Sequence, residues 1–296
     1  MTPPQNFAGN LAYDAEGERL WLISFGPPAN SIPSTLYELD INSGEVVRSV
    51  VMPFKGEFGP PAYIDGFLYQ CVFHESKLYE IDVNASNFGK VVRAIPLPSL
   101  LDLRIKSDSE VFRFPFISFH GATATPDKNI LLYADELYEF VTVDRKTGRI
   151  RKRVKTVPAL EGIATVPAPR GEFLVLAKSD PVTAKVKADL RRFLFRGAHT
   201  THAEHKPTAQ GVSWVLLNAL NGKIVRSVPA TELRPYVATI PSAAETKELP
   251  RSVFLPFKPT SVAIVRHESV AGSPFGRFLF LTTAEEGIWQ LGWTPQ

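Results

Sequence analysis

The sequence predicts an all-β protein, a five-bladed β-propeller with six blades as the alternative, and three observations carry that expectation. Short apolar runs recur along the chain in a shared order. Within each run, Val, Ile, Leu, Tyr and Phe alternate with polar residues, which is the two-residue period of a strand. Turns rich in Gly, Asn and Asp separate neighbouring runs at hairpin spacing. Units of this kind cannot bury both faces alone, so they must stack around an axis.

Each unit reads as four strands. In the first, "GNLAYDAEGERLWLISF" is followed by "STLYELDINSGEVVRSVVMP"; in the second, "GPPAYIDGFLYQCVF" leads into "SKLYEIDVNASNFGKVVRAIPLP". "GATATPDKNILLYADE" with "LYEFVTVDRKTGRIRKRVKTVP" makes the third, and "EGIATVPAPRGEFLVLAKSD" with "VSWVLLNALNGKIVRSVPA" the fourth. The units begin near Gly9, Gly59, Gly121, Glu161 and Thr260, in a single domain spanning 1–296. The fifth, "TSVAIVRHESVAGSPFGRFLFLTTAEEGIWQLGW", stops after its third strand, so its outer strand is either missing or supplied by the N-terminal region. Residues 229–257 are the place for a sixth, degenerate blade, but they offer no pair of bulky strands joined by a turn.

Composition narrows the function classes. With 44% hydrophobic and 21% charged residues among 296, the chain can bury a large core. A net charge of +3 is too small to argue for nucleic acid as a partner. The single cysteine, Cys71, forms no intrachain disulfide and reads as a small buried strand residue. No apolar stretch approaches the roughly 20 residues that span a bilayer. The opening "MTPPQNFAGN" lacks a basic and apolar leader, so the expected location is cytoplasmic by default, or exported with the leader removed. Phosphate-cradling and dinucleotide glycine motifs do not occur, which argues against redox and nucleotide chemistry.

Loop lengths point to one face. In a propeller the turns between strands one and two, and three and four, share one rim. Here they are tight: "AEGE", "IDG", "PDKN", "NSG", "RKTG" and "LNG". The longer segments at 26–34, 100–119, 179–211 and 229–258 all fall on the opposite rim. Long loops grouped over one mouth of a rigid scaffold commonly build a binding site. Residues opening the innermost strands there include Glu57, His120, Glu161 and Lys258. The ends of the second strands add His74, Glu75, Asp135, Glu136, Lys178, Asp180 and Glu285. Carboxylates, an imidazole and lysines brought together suit acid–base work, because like charges and partial burial pull pKa values apart. His120 is the expected proton-transfer residue, since it precedes the glycine where a first strand enters the channel. Glu57 and Glu161 are its charge partners or metal ligands, and Lys258 or Lys178 stabilises an anion. His74, Asp180 and His202 join Lys178 as substrate contacts, while His267 reads as structural.

The insertion 179–211 interrupts the fourth blade. Val186, Leu190, Phe193 and Leu194 fall at helical spacing, predicting a helix near 183–197, and Gly197 suits its stop. From 178 to 211 the charges net +4, more than the +3 of the whole chain, so basic character is local. This amphipathic, basic segment is expected to act as a lid over the mouth, to offer its apolar stripe to a protein partner or an anionic surface, or to be decoration. Within it, "HTTHAEH" fits no zinc-protease spacing, and the flanking Gly197 and "KPTAQG" favour a loop tip over a metal site.

The repeat resembles the enzymatic and sensor propellers that include gluconolactonase-like and NHL-type proteins. Its first unit, with "FAGNL", "WLISFG" and then "EFGPP", also looks like the opening blade of the five-bladed glutamine cyclotransferases. That likeness rests on scaffold residues and replaces the polar positions of that family, so what it implies is the fold and not the activity. Gluconolactonase-like enzymes hold a divalent metal on the channel axis, which by location alone would implicate Glu57, Glu161 and Asn10; otherwise no cofactor is expected. Two functions are therefore expected in competition. One is a non-redox hydrolase, lyase or cyclase acting on a small molecule at the decorated mouth. The other is a non-catalytic propeller binding a protein or glycan there.

Overall fold

The computed structural model describes residues 9–24, 33–41, 45–54, 59–72, 77–97, 105–106, 111–112, 119–134, 138–158, 160–166, 168, 171–179, 213–229, 252–256, 269–272, 278–283 and 287–294. Four sheets are consecutive antiparallel meanders running from the innermost strand outward. The first comprises β1 (Gly9–Asp14), β2 (Arg19–Ser24), β3 (Thr35–Asp40) and β4 (Val46–Val51), and the second β5 (Ala62–Ile64), β6 (Phe67–Val72), β7 (Lys77–Asp82) and β8 (Lys90–Pro96). A two-stranded ribbon, β9 (Ile105–Lys106) with β10 (Val111–Phe112), precedes the third. The third blade holds β11 (Phe119–Ala124), β12 (Ile130–Ala134), β13 (Glu139–Val143) and β14 (Ile150–Lys155). The fourth holds β15 (Leu160–Val166), β16 (Leu174–Ser179), β17 (Ser213–Asn218) and β18 (Lys223–Pro229).

A further four-stranded sheet departs from this pattern. It contains β19 (Ser252–Pro256), β20 (Ser269–Gly272), β21 (Phe278–Thr283) and β22 (Gly287–Thr294), in the order β19-β22-β21-β20. Its edge strand β19 lies parallel to β22, from Ser252 opposite Gln290 to Pro256 opposite Thr294. The expectation of five like blades, or six, is therefore corrected to four. Alternation in "FLFLTT" and "GIWQLGW" identifies strands but not their partners, and the strand beside β22 comes from 252–256, inside the stretch considered for a sixth blade. β20 packs beside both β1 and β15, bringing this sheet between the first and fourth blades. The insertion helix expected near 183–197 lies outside the described residues, among which no helix occurs.

Among the described residues the core consists of seams between the first four sheets, which bury apolar side chains against one another. Trp21, Ile23, Leu36, Met52 and Phe54 of the first blade meet Leu68, Val72 and Ile81 of the second. Tyr69, Cys71 and Leu78 then meet Phe119, Leu132 and Val141 of the third. Tyr133 and Phe140 meet Leu160, Val175, Ala177 and Val215 of the fourth. Cys71 is buried among these side chains as expected, and burial pushes its thiol pKa up, away from the reactive thiolate.

A repeated polar strut ties blade to blade. Arg48 on β4 donates to Glu38 at 2.7 Å and reaches the second blade's turn at the carbonyls of Ala85 (3.2 Å) and Val83 (3.3 Å). Its guanidinium also lies over the Phe88 ring, 4.0 Å from the centroid. One blade on, Arg93 pairs with Glu80 and donates to the carbonyls of Lys146 (2.7 Å) and Arg145 (2.9 Å) in the third blade's turn. Arg153 pairs with Glu139 at 2.6 Å, while its neighbour Lys152 donates to the Leu220 carbonyl in the fourth blade's turn at 3.0 Å. The turn glycines complete the fit. A Cβ at Gly89 would strike Val50, and one at Gly222 would strike the Lys155 carbonyl, in each case on the preceding blade.

Candidate functional site

The strand bounds set the two rims. At one, β1 and β2 are joined through 15–18, β5 and β6 through 65–66, β11 and β12 through 125–129, and β17 and β18 through 219–222. At the other lie the connections 25–34, 52–61, 97–118, 180–212 and 230–251. The tight rim is a set of closed networks. Asp14 holds Arg19 at 3.0 Å, and Arg19 also donates to the Tyr63 hydroxyl at 3.2 Å, linking the first two blades. Asp65 of the second blade pairs with Lys128 (2.7 Å) and Arg145 (2.9 Å) of the third, and these cations hold its carboxyl below the usual range. Asp144 accepts from Arg151 and from the backbone N–H groups of Thr147 (2.8 Å) and Lys146 (2.9 Å), which depresses its pKa.

The loop-bearing rim is built differently. In the third blade β11 slips register against β12 between Phe119 and Ala122; in the fourth, β15 slips against β16 between Glu161 and Ala164. Both slips centre on a glycine with positive φ, Gly121 at 155° and Gly162 at 58°. A bulge of this kind bends the strand and re-aims the residue beside it. The two bulged strands are neighbours and pack closely: a Cβ at Gly121 would sit 3.0 Å from the Ile163 side chain and 3.1 Å from Pro60. Below the bulges, the hydroxyls of Thr123 and Thr165 lie 2.9 Å apart, Thr123 accepts from the Thr165 N–H at 2.9 Å, and Thr165 donates to the Ala124 carbonyl at 2.6 Å. This clamp fixes β11 against β15. His120 and Glu161 thus hold matching places, each one residue before the bulge glycine of an innermost strand. Glycine inside a strand pattern was the sequence signal for His120, whereas Glu161 was marked by its place at the opening of an innermost strand.

Lys178 is one residue from the loop-side end of β16, in register with Glu161 on one side and Trp214 on the other. It is buried, with 7% of its surface exposed. Asn10 on β1 is buried at the corresponding rim of the first blade. Gln70 on β6 is fully buried; its amide N–H donates to the carbonyls of Gly59 and Cys71, both at 2.9 Å, while its Oε1 has no partner. The Ser34 hydroxyl and the Trp214 indole N–H are likewise buried without partners. Sequence reasoning missed Gln70 and Trp214, which read as ordinary strand residues, and Ser34, the last residue of the loop segment 26–34. Glu57, His74, Glu75, Asp135, Glu136, Asp180, the tract from His199 to His205 with His202, Lys258, His267 and Glu285 lie outside the described residues. Among the described residues no three His, Cys, Asp or Glu side chains form a group that could hold a metal, and no helix is long and apolar enough to cross a membrane.

Comparison with known proteins establishes the fold. Glutaminyl cyclase from Myxococcus xanthus is similar with a TM-score of 0.53 and 11% identity, over 97% of this chain and 90% of its own. The chain is a β-propeller. A Bacteroides uniformis protein assigned as a 6-phosphogluconolactonase is similar with a TM-score of 0.44 and 10% identity, over 97% of this chain and 68% of its own. A luciferin-regenerating enzyme is similar with a TM-score of 0.42 and 13% identity, over 57% of this chain and 52% of its own. No protein-family model matches the chain, and no curated protein matches it in sequence.

Proposed function

We propose that this propeller is an enzyme acting on a small organic molecule by non-redox acid–base chemistry, of hydrolase, lyase or cyclase type, at its loop-bearing mouth. The observation that supports this reading is the pair of glycine-centred bulges placing His120 and Glu161 at matching positions on adjacent, clamped innermost strands. Two ionisable residues carried on neighbouring innermost strands at a channel mouth are suited to proton transfer, where a positioned group contributes about 10²- to 10⁴-fold in rate. His120 is the proton-transfer residue in this reading, with Glu161 and Glu57 as charge partners. Lys258 or Lys178 stabilises the anion that forms, and His74, Lys178, Asp180 and His202 contact substrate, with the insertion 179–211 as the lid. A divalent metal held by Glu57, Glu161 and Asn10 is the variant that metal analysis of the purified protein checks.

The experiment is a ligand screen by thermal shift, followed by turnover assays on the hits, with wild type, His120→Ala and Glu161→Gln. Both variants are expected to unfold at the wild-type temperature without ligand and to lose at least about 100-fold in rate. Turnover that survives both changes, or that is instead lost on substituting the tight-rim residue Asp144, would sink the assignment.

A further inference from the structure

The third blade carries a charge that its neighbours do not. Its outer hairpin, "DRKTGRIRKRVK" at 144–155, holds seven cations against one acid, a net +6 in a chain of net +3. The matching segments of the first, second and fourth blades, 40–51, 82–96 and 218–229, net −1, +1 and +2. Neighbouring carboxylates offset only part of this charge. Asp144 pairs with Arg151, Glu139 with Arg153, and Asp65 of the second blade with Arg145. Lys146 and Arg149 are exposed and have no carboxylate partner among the described residues. Lys152 donates to a neutral group, the Leu220 carbonyl, which leaves its charge uncompensated.

β14 is also the outer strand of its sheet, and among the described residues no strand pairs with its outward edge. Charged side chains on an edge ordinarily keep other chains away. That role does not account for β14, because the equivalent edges β4, β8 and β18 leave Val47, Val51, Val92 and Val225 exposed. In β14 three exposed cations, Arg151, Lys152 and Arg153, follow one another. Lys152 stands across from Thr142 and Arg153 across from Val141, so cations leave both faces of the edge. A bilayer surface meets one plane, whereas an extended chain laid along the edge meets both faces. The hairpin also lacks any aromatic ring on which a nucleic-acid base would stack.

We propose that the edge from Arg149 to Arg153 docks an acidic, extended segment of a partner protein, added beside β14 as a further strand. Backbone N–H and C=O groups along the edge bind any extended chain, and carboxylates at successive positions of that chain meet the cations on the two faces. The edge belongs to the outermost strand of its blade and not to the mouth, so this docking is separate from the activity proposed above.

Fluorescence anisotropy of the full chain with a labelled peptide of repeated Glu-Glu-Thr tests the docking edge. Saturable binding is expected, and added salt should weaken it. A Glu-Glu-Pro repeat keeps the charge but loses backbone N–H groups, so it should bind about tenfold more weakly. Arg149→Glu combined with Lys152→Gln should also cost at least about tenfold. Lys90→Glu on β8 and Lys223→Glu on β18, the same kind of change on neighbouring edges, should leave binding intact. If the double variant fails to fold, Arg149→Glu alone, in the exposed turn before β14, carries the test. No saturable binding of the Glu-Glu-Thr peptide, equal binding of the two peptides, or binding indifferent to the variants of Arg149 overturns the proposal. So does tighter binding to phosphatidylserine vesicles or to a single-stranded oligonucleotide than to the peptide.

Discussion

The tight rim and the loop-bearing mouth of this propeller treat polar groups in opposite ways. At the rim, Asp14, Asp65 and Asp144 each accept from cations or backbone N–H groups; both Asp65 contacts cross between blades, as does the bond from Arg19 to the Tyr63 hydroxyl. Of the four buried side-chain atoms without partners among the described residues, Trp21 Nε1 sits in the rim half of β2, whereas Ser34 Oγ, Gln70 Oε1 and Trp214 Nε1 lie toward the mouth. A satisfied network stabilises; a buried unsatisfied group costs about 1–3 kcal/mol. The rim contacts thus join neighbouring blades, while three of the four unpartnered buried atoms among the described residues lie toward the mouth. This division is the physical argument for placing function at one end.

The sharpest way to break the comparison is at a rim glycine. Gly222→Ala combines a φ of 71° with a collision against the Lys155 backbone carbonyl, so it should destabilise by at least about 3 kcal/mol. Gly171, at φ 85°, has open space around it, so alanine there should cost only about 1–2 kcal/mol. Chemical denaturation of both variants checks the contrast, and equal losses would show that the fit between blades contributes little.

Next in size is a pair of polar-to-apolar changes. Arg48→Met removes charge-assisted bonds to Glu38 and to the second blade's turn, and should cost about 2 kcal/mol. Gln70→Met loses two donated bonds but also removes an unpartnered acceptor, so it should stay within about 1 kcal/mol of wild type. Urea midpoints decide between them, and a reversed order would undo the contrast between the two ends.

The smallest effect is alkaline. Burial first, then nearby carboxylates, pushes Tyr13 up to about 12; burial and the hydrogen bond with Asp14 push Tyr63 up to about 12. A raised folded pKa favours the protonated form, so this contribution is complete below the unfolded value of 10.0 and is lost as pH rises from there toward 12. Tyr13→Phe should flatten part of that decline in melting temperature, and an unchanged slope would show that Tyr13 does not titrate on unfolding.

Much of this was legible in the sequence. The alternating runs placed the strands of four blades, and the glycine turns placed the tight rim. "LYELD" with "VVRSV", and "LYEID" with "VVRAI", carried the Glu–Arg struts, although only the structure shows them reaching the next blade. In the fourth blade Leu216 stands across from Arg226, where the first two blades have the glutamate. Glycine inside a strand marked His120, and the opening of an innermost strand marked Glu161, but register slip is a pairing property and has no period of its own. Trp214 was invisible as anything but core, because "SWVLLN" satisfies every rule for a buried strand. The connectivity of the last sheet was equally hidden, since hydrophobic alternation is silent about which strand lies alongside.

The parallel edge strand β19 has a bearing on the order of assembly. A chain emerging from the ribosome completes each of the first four meanders from its own consecutive segments. β19 is synthesised before β22, the strand that it pairs with, and must wait for it. Until β20 arrives, β1 and β15 also lack the neighbour that joins them. Closure is thus a late event of long sequence separation, the kind that loop entropy slows, and the junction of first and last sheets is where the toroid should open first under strain.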